Sequence, residues 1–126
     1  MADSIGEFTF EHTKNVYAKN DDGVVVAYAS YEGEATGFGT VMGTLAFPLP
    51  DSGATSGSLS WTGQAFPPDG PWTSSFGEGS WTQIEGKHAW KISIPVIEIS
   101  NGTSLRSEGT VDLEARTFNG QMFDAS

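Results

Sequence analysis

Cysteine is absent from the 126-residue chain, which excludes disulfides and thiolate metal sites together and suits a reducing compartment. Basic residues are scarce. Lys14, Lys19, Lys87, Lys91, Arg106 and Arg116 are scattered and face sixteen acidic residues, for a formal charge of −10. Nucleic acid and anionic lipid are bound by neutralising phosphates with Lys and Arg, so this balance argues against both as partners. No apolar run approaches the roughly 20 residues that a membrane helix needs. The opening stretch ADSIGEFTF has neither a basic region nor an apolar one of signal-peptide type, so the expectation is a cytoplasmic protein without a membrane partner.

Other signals are missing as well. No segment combines an apolar i, i+3, i+4, i+7 pattern with helix caps. GFGTVMG (residues 37–43) lacks the strand-then-helix context and the spacing of a dinucleotide loop, and no Ser stands in a G-x-S-x-G setting. The two histidines, His12 and His88, are far apart and without metal-ligand spacing, so neither metal nor cofactor is expected. Asn101-Gly102-Thr103 matches a glycosylation acceptor, but Asn-Gly is first a hairpin signal.

What the chain does contain is period two. Phe8, Phe10 and His12 alternate with Thr9, Glu11 and Thr13, as in a strand. NDDG at residues 20–23 turns the chain into VVVAYASY, which is β-branched and aromatic. A third run covers Thr36 to Phe47, ended by Pro48 and the loop PLPDSGATSG; SLSWTGQAF is a fourth, followed by PPDGPW. A fifth spans about Ser74 to Ile84, a sixth begins at His88, and a seventh runs from Thr103 to about Arg116. TFNG (117–120) reads as one more turn into a short QMF strand. The prediction is one all-β domain over residues 1–126, a small antiparallel up-and-down β-barrel of seven or eight strands, since closure removes exposed sheet edges. Glycines at 37, 39, 43, 77 and 79 mark places where strands bend or approach closely. A small sandwich is the structural alternative.

The stretch GEGSWTQIEGKHAWKI (77–92) is the densest in candidate site residues. An even-numbered loop centred on Gly86-Lys87 pairs Gln83 with Trp90 and Trp81 with Ile92, and paired residues share a sheet face. Glu85, His88 and Gln83 then lie near the turn with Trp81, Trp90 and Ile92 deeper, the profile of a small-ligand cavity. A three-residue loop would send Trp81 to the other face. Downstream, Glu98 points inward if alternation survives Pro95 and outward if Pro95 sits in a bulge. His88 and Glu98, as candidate catalytic residues, are too far apart along one straight strand to act together. Each would need a partner from another strand, such as Tyr28, Glu11 or His12. Tyr28 and Tyr31 have opposite parity, so one of them is internal.

The pieces YEGEATGFGTVMGTLAF (31–47), SGSLSWTGQAF (56–66), SFGEGSW (75–81) and SEGTVDLEA (107–115) resemble the small calycin-type barrels, the lipocalin-like and allene oxide cyclase-like families, including bacterial members of unknown function. The G-x-W of true lipocalins near the N-terminus is missing. The resemblance implies a barrel that holds a small hydrophobic compound, either as a carrier or as an isomerase or cyclase that works by substrate positioning. It supplies no catalytic residue.

Three functions follow as expectations. The first is a barrel that binds a small apolar or aromatic molecule through Tyr28, Trp81, Gln83, Trp90 and Ile92, and converts it with the help of His88 or Glu98. The second is a carbohydrate-binding module with Trp61 or Trp72 exposed for sugar stacking. The third is a structural or interaction barrel with a filled core, for which a homodimer is the natural assembly.

Overall fold

The computed structural model describes residues 4–125. Eight strands follow one another: β1 (Ser4–Lys19), β2 (Val25–Ala35), β3 (Gly39–Pro48), β4 (Ser56–Phe66), β5 (Thr73–Gln83), β6 (Ala89–Ile99), β7 (Ser104–Asp112) and β8 (Thr117–Asp124). Each pairs antiparallel with the next, and β8 returns to β1, so the sheet closes into a barrel with no free edge. Among the described residues no helix is long and apolar enough to cross a membrane.

Two boundaries differ from the sequence expectation. β3 begins only at Gly39, because Thr36–Phe38 form a turn in which Phe38 N donates to Ala35 O (3.0 Å). Gly37 and Gly39 hold φ of 81° and 73° there, left-handed values that glycine adopts without steric cost. β7 ends at Asp112, whose Oδ1 accepts the backbone N–H groups of Glu114 and Ala115 (2.9 and 3.2 Å). This side-chain capping breaks the ladder, and TFNG then starts β8 instead of turning the chain.

Alternation sends Phe8, Phe10, Tyr31, Leu45, Trp61, Ile92, Ile94 and Phe118 into one buried cluster. Gly43 and Gly63 are cross-strand partners, and the Trp61 ring covers both: a Cβ on Gly43 would lie 2.0 Å from Cη2, and one on Gly63 2.5 Å from Cζ2. Trp61 stacks on Phe10 (ring centroids 6.0 Å, interplanar angle 8°) and donates Nε1–H to Ser75 Oγ at 3.0 Å. Phe8, Phe10 and Phe118 meet one another at 4.9 to 5.9 Å. These rings fill the barrel around the β2–β3, β4–β5 and β6–β7 turns, leaving a void of about 60 Å³.

Besides a register shift between Ser4 and Gly6 at the start of β1, two bulges reset the alternation near the interior. On β6, Ile94 and Pro95 together oppose Gly79, between the pairs Glu78↔Val96 and Ser80↔Ser93. Pro95 has no N–H to give the ladder, which suits it to the extra position. Ile97 and Ile99 consequently turn inward and Glu98 lies exposed outside. On β1, register shifts between His12 and Lys14. Asn15 and Tyr17 then pair with Ala29 and Ala27 and share their inner face.

Candidate functional site

The other end of the barrel is open. Its rim is built by the turns after β1, β3, β5 and β7, and the small side chains of Ala27 and Ala29 leave the interior unfilled there. The result is a cavity of about 700 Å³, within the range of small-molecule sites. Phe47, Leu49, Trp81, Trp90, Val111 and Leu113 supply apolar wall. Polar groups gather at the mouth: Asn15 and Tyr17 from β1, Gln83 and His88 from the β5–β6 hairpin, Asp51 after β3, and Asp112 and Arg116 around the β7–β8 turn; His12 lies deeper, beside buried Tyr31.

The β5–β6 hairpin has the even-loop register. Gln83 pairs with Trp90 and Trp81 with Ile92, while Ile84 N donates to Ala89 O across a loop of Glu85 to His88 (2.8 Å). Gln83 Nε2 donates to Lys87 O (2.8 Å), which ties the turn. His88 is exposed at the lip, its ring 6.5 Å from Trp90. Trp81 packs over Gly57, where an added Cβ would lie 2.7 Å from its Nε1; that N–H is buried without a partner. Trp81, Gln83, Trp90 and His88 thus line one cavity. Ile92, 1% exposed, belongs to the core and does not line it.

Two more of the sequence candidates fall elsewhere. Glu98 is turned out by the Pro95 bulge and is not brought near His88. Tyr28 is exposed, cross-strand from Val16 and Ala46 on the outer face. Tyr31 is the internal tyrosine, because its parity is that of Ala27 and Ala29. Trp61 is buried in the core, whereas Trp72 is 61% exposed and Phe76 60% exposed, outside the cavity.

The structure adds a constellation on β1 and β2. His12 Nε2 hydrogen-bonds Asn15 Oδ1 at 2.5 Å, and Asn15 Nδ2 donates to the Tyr17 hydroxyl at 2.9 Å. The His12 ring lies 5.3 Å from that of Tyr31, which meets Phe118 edge-on at 5.5 Å. Backbone N–H of His12 donates to Arg116 O (2.8 Å), fixing β1 against the β7–β8 turn. Tyr31 is 4% exposed, and burial pushes its phenol up to about 12, because desolvation disfavours the phenolate. Its hydroxyl has no hydrogen-bond partner among the described residues. The shared parity of Phe8, Phe10 and His12 made the direction of His12 legible. Asn15 and Tyr17 were hidden by the bulge at Thr13, which no residue pattern marks.

Among the described residues no group of three His, Cys, Asp or Glu side chains is placed to hold a metal ion. Comparison with protein-family models, with curated proteins and with solved structures found no match, so the site's chemistry is read from its own geometry.

Proposed function

We propose that this barrel binds a small apolar or aromatic molecule in its open-ended cavity and acts on it in the manner of an isomerase, cyclase or lyase, by positioning it against one or two polar groups. The observation that carries this reading is the cavity itself: about 700 Å³ with Trp81, Trp90, Phe47 and Val111 as wall, polar groups around the mouth, and Tyr31 buried inside. An apolar body entering it gains on the order of 25 cal/mol for each Å² removed from water, and the mouth groups orient it. A filled barrel serving only as scaffold would lack such a space. The carbohydrate-binding alternative needs a row of exposed aromatic rings. Trp61, one of its two candidates, is buried.

The test is a panel of small aromatic and apolar compounds, read by tryptophan fluorescence and melting temperature. Trp81 and Trp90 line the cavity, so a bound aromatic quenches their emission. Ligand at about a hundred times its dissociation constant adds about 3 kcal/mol to stability. A panel that neither quenches nor stabilises would refute the reading. Outward-facing Phe76, Met42 and Val96 support a second reading alongside it, an interaction surface on the barrel wall with a homodimer as its simplest form. Sedimentation would test this. The proposed setting is cytoplasmic, with neither nucleic acid nor membrane as partner.

A further inference from the structure

We propose that His12 and Tyr31 form a proton-transfer pair for an enolisable carbonyl compound with an aromatic or apolar body, His12 taking the proton from the carbon beside the carbonyl and Tyr31 donating a hydrogen bond to the carbonyl oxygen. This rests on the cavity being a ligand site and goes beyond it by naming the chemistry.

Three observations support the pairing. First, the His12 tautomer is set by its neighbours. Asn15 gives Nδ2 to the Tyr17 hydroxyl, so its Oδ1 is the atom facing His12 Nε2. A carbonyl oxygen only accepts, hence Nε2 carries the proton and Nδ1 of the neutral ring holds the basic lone pair. No described residue hydrogen-bonds Nδ1. Second, Tyr31 is buried and lines the same cavity, and no described residue hydrogen-bonds its hydroxyl, which leaves the O–H free for a ligand. Its neutral phenol is a donor throughout the physiological range. Third, the two rings are adjacent, 5.3 Å between centroids, so one small substrate can meet both.

The remaining ionisable groups lining the cavity are Tyr17, Asp51, His88, Asp112 and Arg116. Tyr17 is engaged by Asn15, and Asp112 is occupied by the turn N–H groups of Glu114 and Ala115. His88 stands at the lip. The step balances without oxidant or cofactor. The C–H pair becomes the C=C of an enolate, the carbonyl π pair moves to oxygen, and the Tyr31 O–H stabilises the charge there. His12 Nδ1–H then returns the proton to the same carbon, or to the far end of a conjugated system, which moves a double bond.

The experiment uses phenylacetone, with propylbenzene as the carbonyl-free control of similar shape. Binding is followed by tryptophan fluorescence, and exchange of the protons beside the carbonyl by NMR in heavy water. Wild-type protein is expected to accelerate exchange over buffer by about a hundredfold or more. His12→Gln keeps a donor for Asn15 but has no base, and should abolish the acceleration while binding persists. Tyr31→Phe removes only an unpartnered hydroxyl; it should slow exchange and erase the preference for phenylacetone over propylbenzene. Phenylacetone bound but exchanging at the buffer rate overturns the proton-transfer pair and leaves the cavity reading standing, as does propylbenzene binding alone. Failure of both compounds to bind overturns both readings.

Discussion

The clearest test of the packing is Gly43→Ala. A methyl group there would overlap Trp61, with Cη2 at 2.0 Å, Cζ2 at 2.4 Å and Cζ3 at 2.7 Å, so the indole must move. It has little room, since it is stacked on Phe10 and bonded to Ser75. Losing the stack costs about 0.5–1.5 kcal/mol, and losing the hydrogen bond costs about as much. Replacing glycine inside a strand returns roughly 0.5–1 kcal/mol of chain entropy. The net is a destabilisation of about 0.5–2 kcal/mol, reaching the range seen when a packed core is overfilled. At about 4 °C per kcal/mol for a chain of this length, the melting temperature should fall by about 2–8 °C. Circular dichroism would measure it, and Trp61 fluorescence should shift as the ring leaves its pocket. Gly57→Ala is the matched control. Its Cβ also meets an indole, at 2.7 Å from Trp81 Nε1, but Trp81 borders the open cavity and can swing into it. That variant should lose less stability and instead lose ligand affinity. Equal losses from the two substitutions, or a more stable Gly43→Ala protein, would refute the account of Trp61 as a wedged ring and Trp81 as a movable wall.

Alkaline titration should show a tyrosine step near 12 that vanishes in Tyr31→Phe, since burial pushes this phenol up to about 12. The unfolded chain releases that proton first, so the shift leaves stability intact below pH 10. It then costs up to about 3 kcal/mol as pH rises towards 12; Tyr31→Phe should flatten this loss in urea titrations. Glu98→Gln should leave ligand affinity and melting temperature unchanged, because the Pro95 bulge turns that carboxylate outward; a fall in affinity would place it in the site. His88→Ala should change stability little and weaken binding only modestly, as expected for an exposed residue at the lip. A loss of folding there would show that the hairpin tip carries structure.

Much of the barrel could be read along the chain because strand geometry is local. A residue's face follows from counting in twos, so Trp81 and Trp90 on one surface, and the opposed faces of Tyr28 and Tyr31, were legible once the hairpin register was chosen. The turns at Asn20–Gly23 and Asn101–Gly102 announced themselves through residues suited to tight reversal. Counting fails where a ladder inserts an extra residue. Proline cannot donate to the ladder, so Pro95 marked a place for a bulge, but the sequence left both directions open for Glu98, and only the β5–β6 register turned it outward. The bulge at Thr13 carries no such mark, and it alone brings Asn15 and Tyr17 to the cavity beside His12. The turn after Asp112 depended on one carboxylate finding two backbone N–H groups.

The sequence by itself determined that the chain is a run of antiparallel strands, where most of them lie, and the apolar face of each up to its bulge, because these rest on alternation and turn chemistry within a few residues. Only the tertiary structure decided that β8 closes against β1, that aromatic rings fill one end while alanines leave the other open, and that His12 and Tyr31 meet inside. Those outcomes depend on contacts across the closed sheet, where one added residue in a strand changes every side chain beyond it.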